Sequence, residues 1–307
     1  MAFTAKDVAE LRKQTGCGMM DCKNALTAAN GNFEEAVKVL REKGMAATAK
    51  KASRIAAEGL VDIYTEGAVT VIAEVNSETD FVAKNETFRE FVRDILKTIA
   101  ANRPADVADL MGKTLAGSDK TVEEVLQEKT FTIGEKLSIR RFTIIDGVVS
   151  TYVHGLGATG VVVKFEADDA VSKKPEFAEF AKNVALQVAA MPSAYVSRED
   201  VPASVLDEEK DVLTKQMQQD PKFANKPAKV LEGIVAGKLG KFFETNCLME
   251  QGYVKDDSLT VRKYVDATAK SLGGDIKVVS FVRYDKGEGI QKREEDFAAE
   301  IEKMVNG

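Results

Sequence analysis

The chain is poor in the residues that most catalytic chemistry requires. Its 307 residues include three cysteines and a single histidine. Cys17, Cys22 and Cys247 are an odd number in a long chain, which argues for reduced thiols in a cytosolic compartment over a disulfide framework. With His154 alone there is no Cys/His spacing for zinc, and no recognised nucleophile signature surrounds any cysteine. Positive charge is also short: 43 Lys and Arg against 49 Asp and Glu leave a formal net charge of -6, the wrong sign for a chain held by nucleic-acid phosphates. No stretch approaches the roughly 18 consecutive apolar residues of a membrane span. The start, Met1-Ala2-Phe3-Thr4-Ala5-Lys6-Asp7, lacks a basic segment leading into an apolar one. These shortages point to an unexported cytoplasmic protein without a direct nucleic-acid or membrane partner.

A nucleotide site is missing too. Gly112-Lys113-Thr114 has the end of a phosphate loop, but the position five before Gly112 is Val107 and not glycine. Gly287-Glu288-Gly289 lacks the third glycine and the strand-to-helix setting of a dinucleotide fingerprint.

What is present is strong periodicity. Thr4 is placed to cap a helix carrying Val8 and Leu11, and Gly16 and Gly18 interrupt it. A second helix, with Cys22, Leu26 and Ala29, ends at Asn30-Gly31. Asn32 opens a third, with Phe33, Val37 and Leu40 on one face and Gly44 as its stop. Residues 1–45 thus read as a three-helix module and the Ala-rich 46–57 as an exposed linker, open to being helical. Beyond it the period becomes that of strands: Leu60 to Thr65 and Val69 to Val75 flank Glu66-Gly67 as a hairpin. A helix from Asn85 carries Phe88, Phe91, Val92, Ile95, Leu96 and Ile99 and stops before Pro104, and Thr121 caps another.

The most informative feature is an internal repeat. Phe88-Arg89-Glu90-Phe91-Val92-Arg93-Asp94-Ile95 recurs as Phe177-Ala178-Glu179-Phe180-Ala181-Lys182-Asn183-Val184, and the strand from Gly67 to Val75 recurs from Gly157 to Phe165. The class is therefore α+β with two similar subdomains, 58–136 and 137–197 joined by 247–283, the second expected to own a strand from Leu137 to Ile145. Residues 198–246 read as a helical hairpin, with Leu206, Leu213 and Met217 outbound, a turn from Asp220-Pro221 to Pro227, and a return from Val230 to Phe243. Residues 284–307 form a C-terminal module ending in an amphipathic helix with Phe297, Ile301 and Met304.

Candidate residues fall where the copies differ. Thr79-Asp80-Phe81-Val82-Ala83-Lys84-Asn85 joins strand to helix in the first copy, and Asp169-Ala170-Val171-Ser172-Lys173-Lys174 fills its last six places in the second. Asp, Val and Lys persist, whereas Phe81 becomes Ala170. A phenylalanine at a helix entrance is ordinarily core, but a scaffold that closes with alanine in one copy does not need the ring. Phe81 is therefore expected to project toward a partner, and Asp80 to cap backbone amides. Met19 and Met20 form a soft apolar contact beside Gly18, one of them expected to cover the small core. His154, ahead of Gly155-Leu156-Gly157, reads as a structural histidine at a strand end.

The runs Thr15-Gly16-Cys17-Gly18-Met19-Met20-Asp21-Cys22-Lys23-Asn24-Ala25-Leu26 and Thr79 to Asn85, with Gln251-Gly252-Tyr253-Val254-Lys255-Asp256 and Gly287-Glu288-Gly289-Ile290, closely resemble the bacterial elongation factor Ts family over essentially the whole chain. That resemblance implies a ubiquitin-associated-like N-terminal domain, a core of two subdomains, a coiled-coil hairpin and a C-terminal module. It implies elongation factor Tu as partner, release of its GDP as the activity, and no cofactor. It assigns Asp80 and Phe81 to an intrusion near the partner's switch and magnesium site, His154 to its phosphate-loop side, and Met19 and Met20 to its nucleotide domain, with Thr79, Val82 and Gly155 as further partner-binding residues. Two departures stand out: Gly157-Ala158-Thr159-Gly160 where the family has Gly-Arg-Ile-Gly, and Gly252-Tyr253 where it has Pro-Phe. A thiol-dependent enzyme, or a ubiquitin-associated-like adaptor without exchange activity, is the rival reading, and self-association stays open at this point.

Overall fold

Helix starts follow the caps that the sequence advertises. In the computed structural model, which describes residues 3–219, 222 and 227–291, α1 (Ala5–Thr15) opens with the Thr4 N–H donating to the Asp7 carboxylate at 2.7 Å, and Gly16 closes it at a φ of 68°. In α2 (Met19–Ala28), Cys22, Ala25 and Leu26 turn inward onto Val8 and Leu11. The Asn32 side chain accepts from the Glu35 N–H at 3.1 Å and starts α3 (Phe33–Lys51), which adds Ala36 and Leu40 to that core.

The expected stop at Gly44 does not occur. Gly44 is buried against α7 (Val122–Ile133), where a Cβ would stand 3.6 Å from the Gln127 carbonyl oxygen. Arg41 pairs with Glu124, and the Lys51 Nζ donates to the Thr130 carbonyl at 3.1 Å. Packing on a neighbouring helix thus carries α3 through a residue whose intrinsic preference is to end it, so much of the expected linker is helix.

Strands β1 (Glu58–Glu66) and β2 (Val69–Ser77) pair antiparallel from Glu58↔Ser77 to Glu66↔Val69, which puts the tight turn at Gly67-Ala68, one residue beyond the expected place. After α4 (Asp80–Lys84), α5 (Glu86–Asn102) ends with Arg103 in the left-handed region at a φ of 48°. Then come α6 (Val107–Met111) and α7, which Thr121 and Glu124 open with a capping box. β2 turns Val71, Ala73 and Val75 toward Phe88, Phe91, Val92, Ile95 and Leu96 of α5, the period-2 face of a strand meeting the broad apolar face of a helix.

β3 (Ser138–Asp146) completes this sheet in the order β1-β2-β3, not the second sheet, as had been expected for residues Leu137 to Ile145. Leu137, just before it, and its own Ile139 join the first core, and its Arg140 and Arg141 ion-pair with Glu74 on β2. Strand pairing of this kind depends on long-range partners that hydrophobic period does not reveal.

The second sheet, ordered β4-β5-β8, uses β4 (Val148–His154), β5 (Thr159–Ala167) and β8 (Ile276–Asp285). α8 (Asp169–Ser172) and α9 (Pro175–Ala190) follow β5 as α4 and α5 follow β2. Phe165 meets Phe177 edge-on at 5.6 Å, and Phe180, Val184 and Val188 fill the face of α9. Between α9 and β8 run α10 (Ala203–Gln219) and α11 (Ala228–Asn246), in contact with each other and with Leu213 and Met217 buried, then β6 (Gly252–Tyr253), β7 (Asp256–Thr260) and α12 (Val261–Leu272). Two compact units result: residues 1–144 with 155–159 and 284–307, and residues 145–154 with 160–283. The architecture is mixed helix and antiparallel sheet, as α+β requires. Most of the turn from Asp220 and the terminal helix with Phe297, Ile301 and Met304 lie outside the described residues.

Candidate functional site

The first unit carries a short tip built on the turn between β2 and α4. Glu135 holds that turn: its carboxylate accepts from the Glu78 N–H at 3.1 Å, the Thr79 N–H at 3.0 Å and the Thr79 hydroxyl at 2.6 Å. Thr79 is the N-cap residue of α4, but its hydroxyl is spent on Glu135 and caps no helix amide. Asp80 is the first helical residue, and its carboxylate takes the Lys84 Nζ at 2.6 Å. The expectation that Asp80 caps backbone amides is corrected accordingly. The Lys84 bond holds its carboxyl below the ordinary carboxylate value.

Val82 packs on the first core, while Phe81, one residue earlier, points away and is 80% exposed. Lys84 Nζ lies 6.0 Å from the centre of its ring. In the second unit Asp169 pairs with Lys173 at 2.8 Å, Val171 is buried, and Ala170 is exposed. The two turns are thus built alike, and the outward position holds a phenyl ring in one and a methyl group in the other. Helix geometry explains the split: successive residues on one turn lie about 100° apart, so the inward valine forces its neighbour outward.

An open groove of about 1260 Å³ runs beside the tip, bounded by Thr15 and Gly16, Phe81 and Val82, and by Leu115 and Lys120 among others. Met19 and Met20 are 45% and 62% exposed. Neither covers the small core, contrary to expectation, because Cys17 and Cys22 fill that place. His154 ends β4 in the second unit, exposed, with its Nδ1 2.9 Å from the Tyr152 hydroxyl. Gly155, also exposed, begins the segment that belongs to the first unit, at a φ of 58°. The structure therefore brings Thr79 to Val82 together, sets Gly155 in a small cleft that Asp80 also lines, and places Met19 with Met20 in α2 and His154 at the end of β4.

Three features escaped the sequence reading. Leu156 is exposed in the turn after His154. Glu135 is the anchor of the tip, and Glu74 is a fully buried carboxylate held by Arg140, Arg141, Asn76 and the Gly287 N–H, the last at 2.8 Å. Burial alone would raise the Glu74 value, but these bonds outweigh it and hold the carboxyl below its ordinary range. Gly287 thus has a structural place and not that of a dinucleotide-fingerprint glycine: a Cβ there would meet the Ala57 carbonyl oxygen at 2.2 Å, and its N–H serves Glu74. Gly112 follows the end of α6, and Lys113 pairs with Asp109 at 2.7 Å. A leucine set between two glycines was the one signal that could have drawn attention to Leu156.

Thiol chemistry finds little support in this geometry. All three cysteines are buried, and burial pushes the Cys17 thiol up and that of Cys247 up to about 11. Among the described residues no helix is long and apolar enough to cross a membrane, and no group of three or more His, Cys, Asp or Glu is placed to hold a metal ion.

Comparison with known proteins identifies the family. The model of the family described as elongation factor TS matches residues 78–288. Elongation factor Ts of Syntrophotalea carbinolica is 44% identical over 309 aligned residues, covering 99% of this chain and 100% of the relative. That of Clostridioides difficile is 47% identical over 307 residues, with 99% of each covered, and that of Trichlorobacter lovleyi 43% over 308, with 98% of each. The class is thus that of translation elongation factors. The chain belongs to the elongation factor Ts family, whose function is nucleotide exchange on elongation factor Tu.

Proposed function

We infer that the tip Thr79-Asp80-Phe81-Val82 is the part of this exchange factor that enters elongation factor Tu, with Met19, Met20, His154 and Gly155 as further contacts. The observation that carries the reading is Phe81: a phenyl ring 80% in water, on a turn anchored by three hydrogen bonds to Glu135, at a place where the equivalent turn closes with alanine. A GTPase holds its nucleotide through backbone amides, a lysine and magnesium. A rigid apolar wedge that shifts those elements weakens nucleotide binding without any bond being made or broken. By linkage, GDP then weakens the factor by the same ratio, so the factor leaves once nucleotide returns.

In this reading residues 1–45 form a ubiquitin-associated-like domain, 46–57 a connector, and 58–136 and 137–197 with 247–283 the two core subdomains. α10 and α11, within 198–246, form an antiparallel coiled-coil arm, and 284–307 a C-terminal module. The factor acts in the cytoplasm on a protein partner, with neither nucleic acid nor a cofactor taking part. The test is release of fluorescent GDP from purified elongation factor Tu. Wild-type chain should accelerate release, and Phe81→Ala should lose most of that acceleration while melting normally. Unaltered release by Phe81→Ala would overturn the assignment of the tip.

A further inference from the structure

We propose that Leu156 is a second apolar contact with elongation factor Tu, set beside the Asp80–Phe81 tip and contributing to the specificity of the complex; this rests on the tip-docking reading above. Leu156 is 73% exposed, and its φ is 56°. In that left-handed region a Cβ crowds the following carbonyl oxygen, so residues other than glycine avoid it. Two disfavoured features therefore meet in one residue: a large apolar group left in water, and a backbone shape that glycine would adopt freely.

Neither is the result of a slack loop. Gly155 and Gly157 on either side have φ of 58° and 98°. The Gly157 carbonyl accepts from the Val61 N–H at 2.8 Å, and a Cβ on Gly157 would stand 2.7 Å from the Leu60 Cβ, so the backbone lies directly on β1. The Ala158 carbonyl accepts from the Lys286 N–H at 2.9 Å, and the Thr159 hydroxyl donates to Asp285 at 2.6 Å. The turn is closed onto the first unit at three successive residues, and the leucine stands on its outer bend. A disfavoured conformation that its surroundings over-determine is a mark of functional surfaces.

The position of the turn says what covers the leucine. Gly155, Leu156 and Ala158 line the same small cleft as Asp80, Lys84 and Lys286. Leu156 is therefore continuous with the surface that presents Asp80 and, one residue on, Phe81. A partner seated on that tip reaches the leucine as well, and meets two apolar side chains around a paired Asp80 and Lys84.

Leu156→Gly is the decisive variant, because glycine accepts the backbone shape and the fold is retained; its Tm should stay within about 3 °C of wild type. GDP release from elongation factor Tu at sub-saturating factor should fall roughly five- to tenfold, the scale of losing part of a buried leucine at an interface. Leu156→Met, which restores apolar bulk on the same backbone, should keep most of the activity. Phe81→Ala is measured in parallel. Wild-type release by Leu156→Gly with impaired release by Phe81→Ala overturns this proposal and leaves the tip reading standing; wild-type release by both overturns both. Leu156→Met as slow as Leu156→Gly overturns the proposal, since apolar bulk would then not be what matters. So does unchanged release with altered sedimentation of the free factor, which would give the leucine to a contact between copies.

Discussion

The two copies of the strand–helix unit are the same scaffold put to different uses. Each turns from its second strand into a short helix through an Asp–Lys pair, Asp80 with Lys84 at 2.6 Å and Asp169 with Lys173 at 2.8 Å, and each seats a valine on its own core. They part at the outward position, Phe81 against Ala170, and again on the strand before it, where Glu74 is fully buried and its counterpart Lys164 only half-buried. Duplication thus preserves what the fold needs. What one copy holds alone has to be explained by something other than closing the scaffold: for Glu74, tying β3 and the Lys286–Gly289 turn to the first sheet, and for Phe81, the partner contact proposed above.

The comparison breaks most sharply if the ring is removed. Phe81→Ala makes the first copy resemble the second, so Tm should hardly change, while GDP release should fall by roughly 10- to 100-fold, the scale of about 1.5–3 kcal/mol for a phenyl buried on association. Ala170→Phe should not gain what Phe81→Ala loses. Thermal melting beside stimulated GDP release separates these outcomes, and a Phe81→Ala chain that unfolds would show the ring to be core.

Glu74 is the next largest. Glu74→Gln strips the charge that Arg140 and Arg141 face, and should cost about 2–3 kcal/mol by urea denaturation, toward the low side for a broken buried pair because both arginines reach solvent. Lys164→Gln in the second unit should cost under about 0.5 kcal/mol. Because the folded Glu74 value lies below 4.5, its contribution is present above about pH 4.5 and lost as the pH falls through the folded value. Wild type should therefore lose stability more steeply on acidification than Glu74→Gln, which an acid titration followed by circular dichroism will read.

The valines sharpen the other side of the comparison. Val171→Ala should cost about 1.5–2 kcal/mol with exchange retained, and Val82→Ala, at a half-buried site, a smaller amount of stability. Equal costs would mean that Val82 is seated as deeply as Val171.

The cysteines should matter least. A triple Cys→Ala variant is expected to release GDP within about twofold of wild type, since buried thiols are poor nucleophiles. Their effect belongs to stability: with the Cys247 value raised from 9.0 to about 11, its contribution is complete below pH 9 and disappears as the pH rises toward 11. Alkaline melting curves of wild type and Cys247→Ala should converge in that range.

Much of this was legible in the residues. Thr4, Asn32 and Thr121 cap their helices as read, the apolar faces of α5 and α9 lie inward, and the repeat pointed to the turn that carries Phe81. The readings that failed share a cause. Gly44 looked like a stop, but α7 packs on it. Leu137 to Ile145 looked like part of the second unit, but β3 pairs with β2. Met19 or Met20 was expected to cover a core that Cys17 and Cys22 already fill. Asp80 was given the place of a cap, but Thr79 is the N-cap residue and the Asp80 carboxylate pairs with Lys84.

By itself the sequence determined where helices start, which faces are apolar, that one unit occurs twice, and to which family the chain belongs, because caps, periods and motifs act over a few residues and are written locally. Only the tertiary structure decided that Leu156 stands in water, that Glu135 anchors the tip, that Glu74 ties β3 and the Lys286–Gly289 turn to the first sheet, and to which sheet β3 belongs. Each of these depends on which distant group the folded backbone brings within hydrogen-bonding or van der Waals range, and that pairing is set by the packing of whole elements and not by any neighbour in the chain.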